Sequence, residues 1–185
     1  MKIGIIGNGF VGSSVAFGFS PQTGCDAEVK IYDKDKSKST YTLTEVVNDS
    51  DFIFVSVPTP SNEDGSISLD IINKVFEDID NTLDYKKDNQ PIILLRSTVT
   101  PGTTKKIQLK YPKMHVVFNP EFLTERSAKF DFINQSRFIV GGNWGNAQRV
   151  KNLYQWRFGE SIPVITTNYE TAELIKYMNN CFFAT

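Results

Sequence analysis

Three glycines near the amino terminus have the spacing of a phosphate-binding loop. Gly7, Gly9 and Gly12 stand in the sequence GNGFVG, directly after an apolar run and at the start of a helical pattern. The first glycine of such a loop permits a tight turn, the second lets backbone N–H groups reach a pyrophosphate, and the third lets the helix pack closely on the strand. An ordinary strand-to-helix turn would also explain the glycines, so other residues of the sequence must decide between the two interpretations.

One acid predicts which dinucleotide the loop binds. Asp33 follows the second apolar run, about 20 residues after the loop, where a carboxylate accepts the ribose 2′-OH. A carboxylate there repels the 2′-phosphate of NADP, so NAD is the predicted cofactor. Lys34, Lys36 and Lys38 lie close enough to weaken this discrimination.

Hydroxyl side chains follow two later apolar runs, where an open α/β sheet binds its ligand. Thr59 lies in the sequence VPTP, and Ser97 and Thr98 begin the sequence STVTPGT. A Pro-Thr-Pro run can equally well just end a strand. For the second segment, capping of the next helix by Ser97, Thr98 or Thr100 is the simpler explanation from chemistry alone.

Carboxylates and an amine stand further along the chain. Glu121 and Glu125 lie in the sequence NPEFLTE, whose apolar residues would desolvate a carboxylate and favour its protonated form, as acid–base catalysis requires. Spacing alone favours acids in the first turn of a helix. Lys176 and Asn180 are four residues apart and share a helix face, which would ordinarily be solvated, opposite an apolar stripe. The stripe consists of Leu174, Ile175, Met178 and Cys181.

Apolar runs that alternate with helical patterns would position these groups. The strand-like runs are Ile3–Ile6, Glu28–Tyr32, Phe52–Val57, Pro91–Leu95, His115–Phe118 and Phe138–Val140. The helical patterns are Val11–Phe19, Leu69–Leu83, Thr103–Lys110 and Ala147–Phe158. The alternation predicts βαβ units, and the nearly continuous apolar character of the runs predicts strands covered on both sides. The predicted fold is therefore α/β, a Rossmann-type doubly wound parallel sheet with helices on both faces.

The chain has room for one domain and a short appendage. Residues 1–166 are predicted to be the dinucleotide-binding domain, with a polar surface loop at Asp33–Thr44, and residues 167–185 the start of a further helix. The last helical pattern reaches Thr185 with no Gly or Pro stop signal, from which we expect a truncated helix. Its apolar residues, including Phe182, would then need cover from missing residues or from a partner.

Composition favours a small-molecule ligand. The net charge of −1 and the pI near 5.9 provide no basic surface for nucleic acid or for an anionic membrane. No segment approaches the length of a membrane span, and Gly7 and Gly9 interrupt the apolar run that a signal peptide would need, so a cytosolic location is predicted. Cys25, Cys181 and the single His115 suggest neither a disulfide nor a metal site, and both thiols are predicted to be buried.

Four further segments make the chain resemble the UDP-glucose/GDP-mannose dehydrogenase family, and they span almost its whole length. They are VSVPTP (55–60), STVTPGT (97–103), NPEFLTE (119–125) and AELIKYMNN (172–180). Any one alone would be weak, but they stand in family order.

The resemblance assigns roles to the candidate residues. It implies catalysis by Thr98, Glu121, Lys176 and Asn180, with Lys176 donating to the reacting sugar oxygen and Glu121 handling a proton or a water. It implies NAD contacts from Gly7, Gly9, Phe10, Val11, Gly12, Asp33, Lys38, Pro58, Thr59, Thr98 and Glu125. It implies substrate contacts from Glu121, Phe122, Leu123, Thr124, Lys176 and Asn180.

The resemblance also implies parts that this sequence lacks. The family oxidises the primary alcohol of a nucleotide sugar to the acid with two NAD through a cysteine thioester, and that cysteine lies in a Gly-rich motif downstream of the Lys-Asn helix. We therefore expect residues 1–185 to bind NAD but not to complete catalysis, and expect a UDP-binding domain and a homodimer only in a longer chain. The sequence also departs from relatives by a short Asp33–Phe52 region, by Arg126 and by Phe10.

Three alternatives remain open at this point, and one of them is a decayed or viral remnant. A 6-phosphogluconate or β-hydroxyacid type dehydrogenase shares the fold and a lysine on a following helix, although the sequence NPEFLTE argues against it. A stand-alone NAD-binding module without turnover would need a partner over its terminal helix. Which nucleotide sugar is bound is not fixed, and UDP-glucose is favoured.

Overall fold

Seven strands form one sheet in the computed structural model, which describes residues 1–184. The strands are Lys2–Ile6 (β1), Glu28–Tyr32 (β2), Phe52–Val55 (β3), Ile92–Leu95 (β4), His115–Phe118 (β5), Phe138–Gly141 (β6) and Val164–Thr167 (β7). Their order in the sheet is β2-β1-β3-β4-β5-β6-β7. The order reverses between β2-β1 and β3, and such a reversal opens a crevice at the carboxyl ends of the strands.

The pairing is parallel except between β5 and β6. The sequence predicted a parallel sheet, and this pair is the one departure from it among the described strands, with Phe118 opposite Gly141. The six-residue helix Ala128–Ile133 follows β5, and β6 then begins at the edge of the sheet where β5 ends. The two strands therefore run in opposite directions.

Helices cover both faces of the sheet. They are Phe10–Gly18 (α1), Leu43–Asn48 (α2), Asp70–Thr82 (α3), Thr103–Lys110 (α4), Ala128–Ile133 (α5), Trp144–Phe158 (α6) and Tyr169–Ala184 (α7). One core lies under α2, α3, α4 and α7, and the other under α1, α5 and α6. Neighbouring strand residues such as Ile53 and Phe54 point into opposite cores, which explains why the strands are apolar throughout. The doubly wound fold predicted from the sequence is confirmed.

The predicted surface loop Asp33–Thr44 is partly wrong. A short 3-10 turn at Lys36–Lys38 and the start of α2 at Leu43 lie in or beside it. Helix α2 begins with a capping box, in which the Thr42 hydroxyl accepts from the Glu45 N–H and the Glu45 carboxylate accepts from the Thr42 N–H. This reciprocal cap stabilises a helix of only six residues, of which Val46 and Val47 are buried.

Several predicted boundaries shift for local reasons. Strand β3 stops at Val55 because the backbone of Val57 bonds to the Ser97 side chain and not to a neighbouring strand. Strand β4 excludes Pro91, which has no N–H to donate. Helix α6 begins three residues early because the Asn143 side chain caps the Asn146 N–H at 2.9 Å.

A buried cation lies in the core under α1, α5 and α6. Arg96 is 1% exposed, and its Nη1 donates to the Asn119 side-chain oxygen at 2.6 Å. The guanidinium lies 5.8 Å from the ring centroids of both Phe54 and Phe132, which stabilise it through their electron-rich faces. The Tyr154 hydroxyl donates to the same Asn119 oxygen at 2.5 Å. This network fixes the start of the loop after β4.

The Tyr154 phenol predicts how stability changes in alkali. Burial raises the pKa of Tyr154 to about 12, from an ordinary value of 10. The folded state therefore disfavours the phenolate. The contribution of the neutral phenol to the free energy of unfolding is complete below pH 10 and is lost as the pH rises through about 12. The free energy of unfolding of the wild type should fall relative to that of Tyr154→Phe, by at most about 1.4 kcal/mol per pH unit in that window. Urea unfolding at several pH values measures it, with Tyr41→Phe, an exposed site, as control. Parallel profiles for wild type and Tyr154→Phe would refute the assignment.

Candidate active site

The crevice at the reversal of strand order is a cleft of about 1160 Å³. It begins at the loop after β1, passes the loops after β2 and β3, and reaches the loops after β4 and β5. Many of the predicted site residues line it, namely Gly7, Gly9, Phe10, Val11, Asp33, Lys38, Pro58, Thr59, Thr98 and Glu121. Residues distributed over 115 positions of sequence thus meet along one surface.

The three glycines of the phosphate loop differ in what surrounds them. Gly7 has φ +92°, and a Cβ there would collide with the Ser56 carbonyl oxygen. A Cβ on Gly12 would collide with the Gly7 carbonyl oxygen. A Cβ on Gly9 would meet no atom within 4 Å. The turn and packing roles predicted for Gly7 and Gly12 are confirmed, and Gly9 leaves space through which a ligand can approach the backbone.

The first turn of α1 is suited to an anion. Gly9 is the N-cap residue and provides no side-chain acceptor for the first N–H groups of the helix. Those N–H groups and the positive end of the helix dipole therefore face the cleft without a side chain to satisfy them. A pyrophosphate at this position fits the residues that are present.

Asp33 organises the loop as well as lining the cleft. One carboxylate oxygen accepts from the Asn8 N–H at 2.6 Å and the other from the Asp35 N–H at 2.8 Å. The Asn8 side chain in turn donates to the Lys38 carbonyl oxygen at 2.9 Å. The short segment after β2 is thereby attached to the phosphate loop at both Asp33 and Lys38.

Asn8 should influence cofactor affinity from outside the cleft. Asn8→Ala removes the bond to Lys38 but keeps the backbone bond to Asp33. A bond of this kind contributes about 0.5–1.5 kcal/mol, so the dissociation constant for NAD should rise about three- to tenfold. Isothermal titration measures the constant. Asn48→Ala, which removes side-chain bonds to Thr82 and Asp84 far from the cleft, should lower stability without changing affinity. Equal affinities of wild type and Asn8→Ala would show that the attachment is irrelevant to binding.

Ser97 and Thr98 have different surroundings at the end of β4. The Ser97 hydroxyl accepts from the Val57 N–H at 3.0 Å and donates to the Val57 carbonyl at 2.7 Å, so it holds the turn after β3. Thr98 is half-buried and lines the cleft. Neither of them, nor Thr100, caps α4, whose N-cap is Gly102. The capping explanation is therefore wrong.

Glu121 lines the far end of the cleft and forms a buried ion pair with Lys176, which does not line the cleft. Lys176 Nζ lies 2.7 Å from Glu121 Oε1 and 2.5 Å from the Glu121 carbonyl oxygen, and the two residues are 4% and 7% exposed. The second carboxylate oxygen accepts from the Leu123 N–H at 2.7 Å. Glu121 is thus not the isolated carboxyl group in apolar surroundings that the sequence suggested. Lys176 also lies on a buried face and not on a solvated one.

Residues 30–157 match the family described as UDP-glucose/GDP-mannose dehydrogenase, NAD binding domain. The chain belongs to this family. The predicted cofactor, NAD, is confirmed for the domain by that match. The predicted resemblance is confirmed with it.

Individual proteins and a solved structure are also similar to this chain. An uncharacterized protein of Methanocaldococcus jannaschii is 37% identical over 145 residues, 75% of this chain and 16% of its own length. UDP-glucose 6-dehydrogenase AglM of Haloferax volcanii is 31% identical over 145 residues, 70% of this chain and 33% of its own length. A GDP-mannose dehydrogenase structure from Pseudomonas aeruginosa superposes with a TM-score of 0.84 at 26% identity, over 100% of this chain and 50% of that one. The chain thus spans from about a sixth to a half of these relatives.

The alternative dehydrogenase class shares only the fold. A 3-hydroxyisobutyrate dehydrogenase of Mycobacterium tuberculosis superposes with a TM-score of 0.74, but the identity is 15%. The family match therefore decides between the two classes in favour of the nucleotide-sugar dehydrogenases.

Some predicted residues lie outside the cleft. Glu125 and Asn180 are exposed and do not line it. Four more predicted residues, buried or half-buried, do not line it either, namely Gly12, Phe122, Leu123 and Lys176. Thr124 is also exposed, and both its N–H and its hydroxyl donate to Asp131, so it holds the start of α5. Cys181 is exposed, which contradicts the prediction of a buried thiol, because it lies on the outward face of α7.

The apolar stripe of α7 is mostly outward-facing. Leu174 is 48%, Met178 63% and Phe182 75% exposed, as predicted for an apolar face that needs cover from other residues. Ile175 is the exception, since it packs on the core. No helix within residues 1–184 is long and apolar enough to cross a membrane.

Glu173 is the residue of this region that the sequence did not reveal. It is fully buried and accepts hydrogen bonds from the amino-terminal turn of α4. Its position three residues before Lys176 was the available signal. The sequence around Glu173, however, does not indicate that it bonds to a segment some 70 residues earlier.

Proposed function

We propose that this chain is the NAD-binding part of a nucleotide-sugar 6-dehydrogenase, with UDP-glucose as the favoured substrate. The observation that carries the proposal is the Lys176–Glu121 pair, whose Glu121 lines the far end of a cleft that starts at the phosphate loop. The cofactor end and the reacting end are thus joined by one surface. The names of the Haloferax and Pseudomonas relatives support a nucleotide-sugar substrate.

The residues along the cleft fit NAD. The first turn of α1 and Gly9 would hold the pyrophosphate, Asp33 the adenosine ribose, and Thr59 and Thr98 the half that carries the nicotinamide. Bound NAD supplies the hydride acceptor for oxidation of the alcohol carbon. Glu125 is left out of this set because it lies outside the cleft.

Lys176 would stabilise negative charge on the reacting oxygen. An alcohol that loses hydride must also lose its hydroxyl proton, so charge develops on that oxygen. The ammonium is already desolvated and held by Glu121, and a substrate oxygen that replaces the Glu121 carbonyl would receive its N–H. The Glu121 carboxylate lies beside it and would accept the proton directly or through a water.

The peptide around Glu121 would position the sugar. Phe122 and Leu123 are half-buried, and the Lys176 Nζ lies 5.6 Å from the centroid of the Phe122 ring. Their backbone, with that of Thr124, would lie along the sugar as the family resemblance implies. The exposed side chain of Asn180 is not part of this arrangement.

Neither cysteine is placed for the covalent step. Cys25 is buried between α1 and β2, and Cys181 is on the outward face of α7, so neither lines the cleft. We propose that the thiol of the four-electron oxidation is not supplied by residues 1–184. The division at residue 166, the homodimer and the cytosolic location stay predictions from the sequence.

Titration of the 185-residue chain with NAD and NADP tests the proposal. NAD should bind at least about tenfold more tightly than NADP, because the carboxylate of Asp33 repels a 2′-phosphate. Asp33→Asn should reduce that ratio, whereas Asp26→Asn, an exposed acid outside the cleft, should not. With UDP-glucose and NAD the chain should form no appreciable NADH. Absence of NAD binding, or sustained NADH formation, would overturn the proposal.

A further inference from the structure

Helix α7 is attached to the rest of the fold by its polar face. Glu170, Glu173 and Lys176 recur every third residue and therefore lie along one side of the helix. Glu170 pairs with Lys105 of α4 at 3.0 Å, and Lys176 pairs with Glu121 at 2.7 Å. Glu173 lies between these two contacts and is the most buried of the three.

The Glu173 carboxylate replaces a missing helix cap. It accepts from the Gly102 N–H at 2.5 Å, the Thr104 N–H at 2.7 Å and the Thr104 hydroxyl at 2.6 Å. The N-cap residue Gly102 has no side chain, and its φ of +91° is a backbone state that few residues adopt. A carboxylate at the amino end of a helix also interacts favourably with its dipole. Burial raises the pKa of Glu173, and these three donors oppose the rise.

This single contact connects two parts of the candidate active site. On α7, Lys176 lies three residues after Glu173, about 4.5 Å along the helix axis. On the other side, the segment from Thr98 to Gly102 joins the cleft wall to the N-cap of α4. Since Glu173 holds both segments, its displacement would change where Lys176 meets Glu121 and where Thr98 faces the cleft.

We propose that Glu173 is a positioning residue that holds Lys176 against Glu121 by capping helix α4. The proposal rests on the function proposed above for Lys176. It differs from a general contribution to stability, because it requires the amino end of α7 and the loop before α4 to loosen while the sheet stays intact.

Chemical labelling of Lys176 tests the proposal without substrate. Acetic anhydride should modify Lys176 slowly in the wild type, because the residue is 4% exposed and its amine is ion-paired. The exposed Lys86 supplies an internal reference. In Glu173→Gln the new amide N–H group faces backbone N–H donors and cannot accept from them, which weakens the contact with α4. The labelling rate of Lys176 relative to Lys86 should therefore rise at least about tenfold. Peptide mass spectrometry measures both rates. Glu170→Gln is the matched control, since it makes the same change at an exposed pair on the same helix and should leave Lys176 unchanged.

A second variant and a second reporter separate positioning from stability. Thr104→Val removes one donor to Glu173 and should raise Lys176 labelling in the same direction, and the double variant should add little because both changes break one contact. Cys25 is buried under the other face of the sheet and reports opening of the whole fold through thiol labelling. It should stay protected in every variant.

The outcomes are distinct. Faster labelling of Lys176 with Cys25 protected supports the proposal. An unchanged Lys176 rate in both variants overturns it, as does a parallel rise at Lys176 and Cys25, which would mean that Glu173 only stabilises the fold. Failure of the wild type to bind NAD would refute the proposed function, while leaving the labelling result to decide the role of Glu173.

Discussion

Replacement of Gly12 by alanine is expected to abolish detectable NAD binding and to lower the free energy of unfolding by about 3 kcal/mol. The added Cβ would collide with the Gly7 carbonyl oxygen and would approach the Ile5 side chain. The loop cannot yield easily, because the Gly7 N–H donates to the Tyr32 carbonyl at 2.9 Å and Gly7 already has a positive φ. Overpacking of this kind costs about 1–3 kcal/mol, and a collision with backbone belongs at the upper end.

Two other glycines are matched controls for that result. A Cβ at Gly9 meets nothing within 4 Å, so Gly9→Ala should leave stability nearly unchanged but weaken NAD binding about 10- to 100-fold, because the methyl group fills the approach to the helix amino terminus. Gly145→Ala lies in the first turn of α6, away from the cleft, and should affect neither property adversely. Urea unfolding and NAD titration measure both properties. A Gly12→Ala variant with the stability of the wild type would contradict the packing role assigned to this glycine.

The phosphate loop and the strands were predictable because their signals are local. The glycine spacing, the apolar strand runs and the acid after β2 each depend on a short stretch of sequence, and together they required a doubly wound sheet. The direction of β6 was not predictable in the same way. Its apolar run would be the same in either direction, and only the path of the chain after Phe118 decides between them.

Short elements were missed for a related reason. Helix α2 has only six residues, too few for a helical period to show in the sequence, and the cap formed by Thr42 and Glu45 marks its start. Strand β7 has two neighbouring exposed residues, Ile165 and Thr166, so it lacks the continuous apolar run by which the others were recognised. Both elements depend on contacts that a pattern search does not register.

The buried side of α7 shows most clearly what the sequence alone does not predict. Helical spacing suggested that Leu174 and Met178 pack inward while Lys176 is solvated, yet the exposures are reversed. Burial of Lys176 is possible only because Glu121 supplies a partner 55 residues earlier in the sequence. Hydrophobicity predicts burial in the absence of such partners, and the identity of a distant partner cannot be read from the helix itself.

Replacement of Lys176 by methionine is expected to lower the free energy of unfolding by about 3–5 kcal/mol, because it leaves the Glu121 carboxylate buried without its cation. The Leu123 N–H would remain the one hydrogen bond recorded to that carboxylate within residues 1–184. Lys105→Met is the control, since the Lys105–Glu170 pair has side chains 59% and 41% exposed and should contribute less than about 1 kcal/mol.

The double variant Glu121→Gln/Lys176→Met separates the charge from the packing. A glutamine at position 121 can still accept from the Leu123 N–H and carries no charge, so the double variant should regain most of the stability that Lys176→Met loses. Urea unfolding of the four proteins gives the interaction energy. If the double variant is as unstable as Lys176→Met, the loss comes from packing of the lysine side chain against its neighbours, and the buried pair does not have the electrostatic role on which the proposed chemistry at this end of the cleft depends.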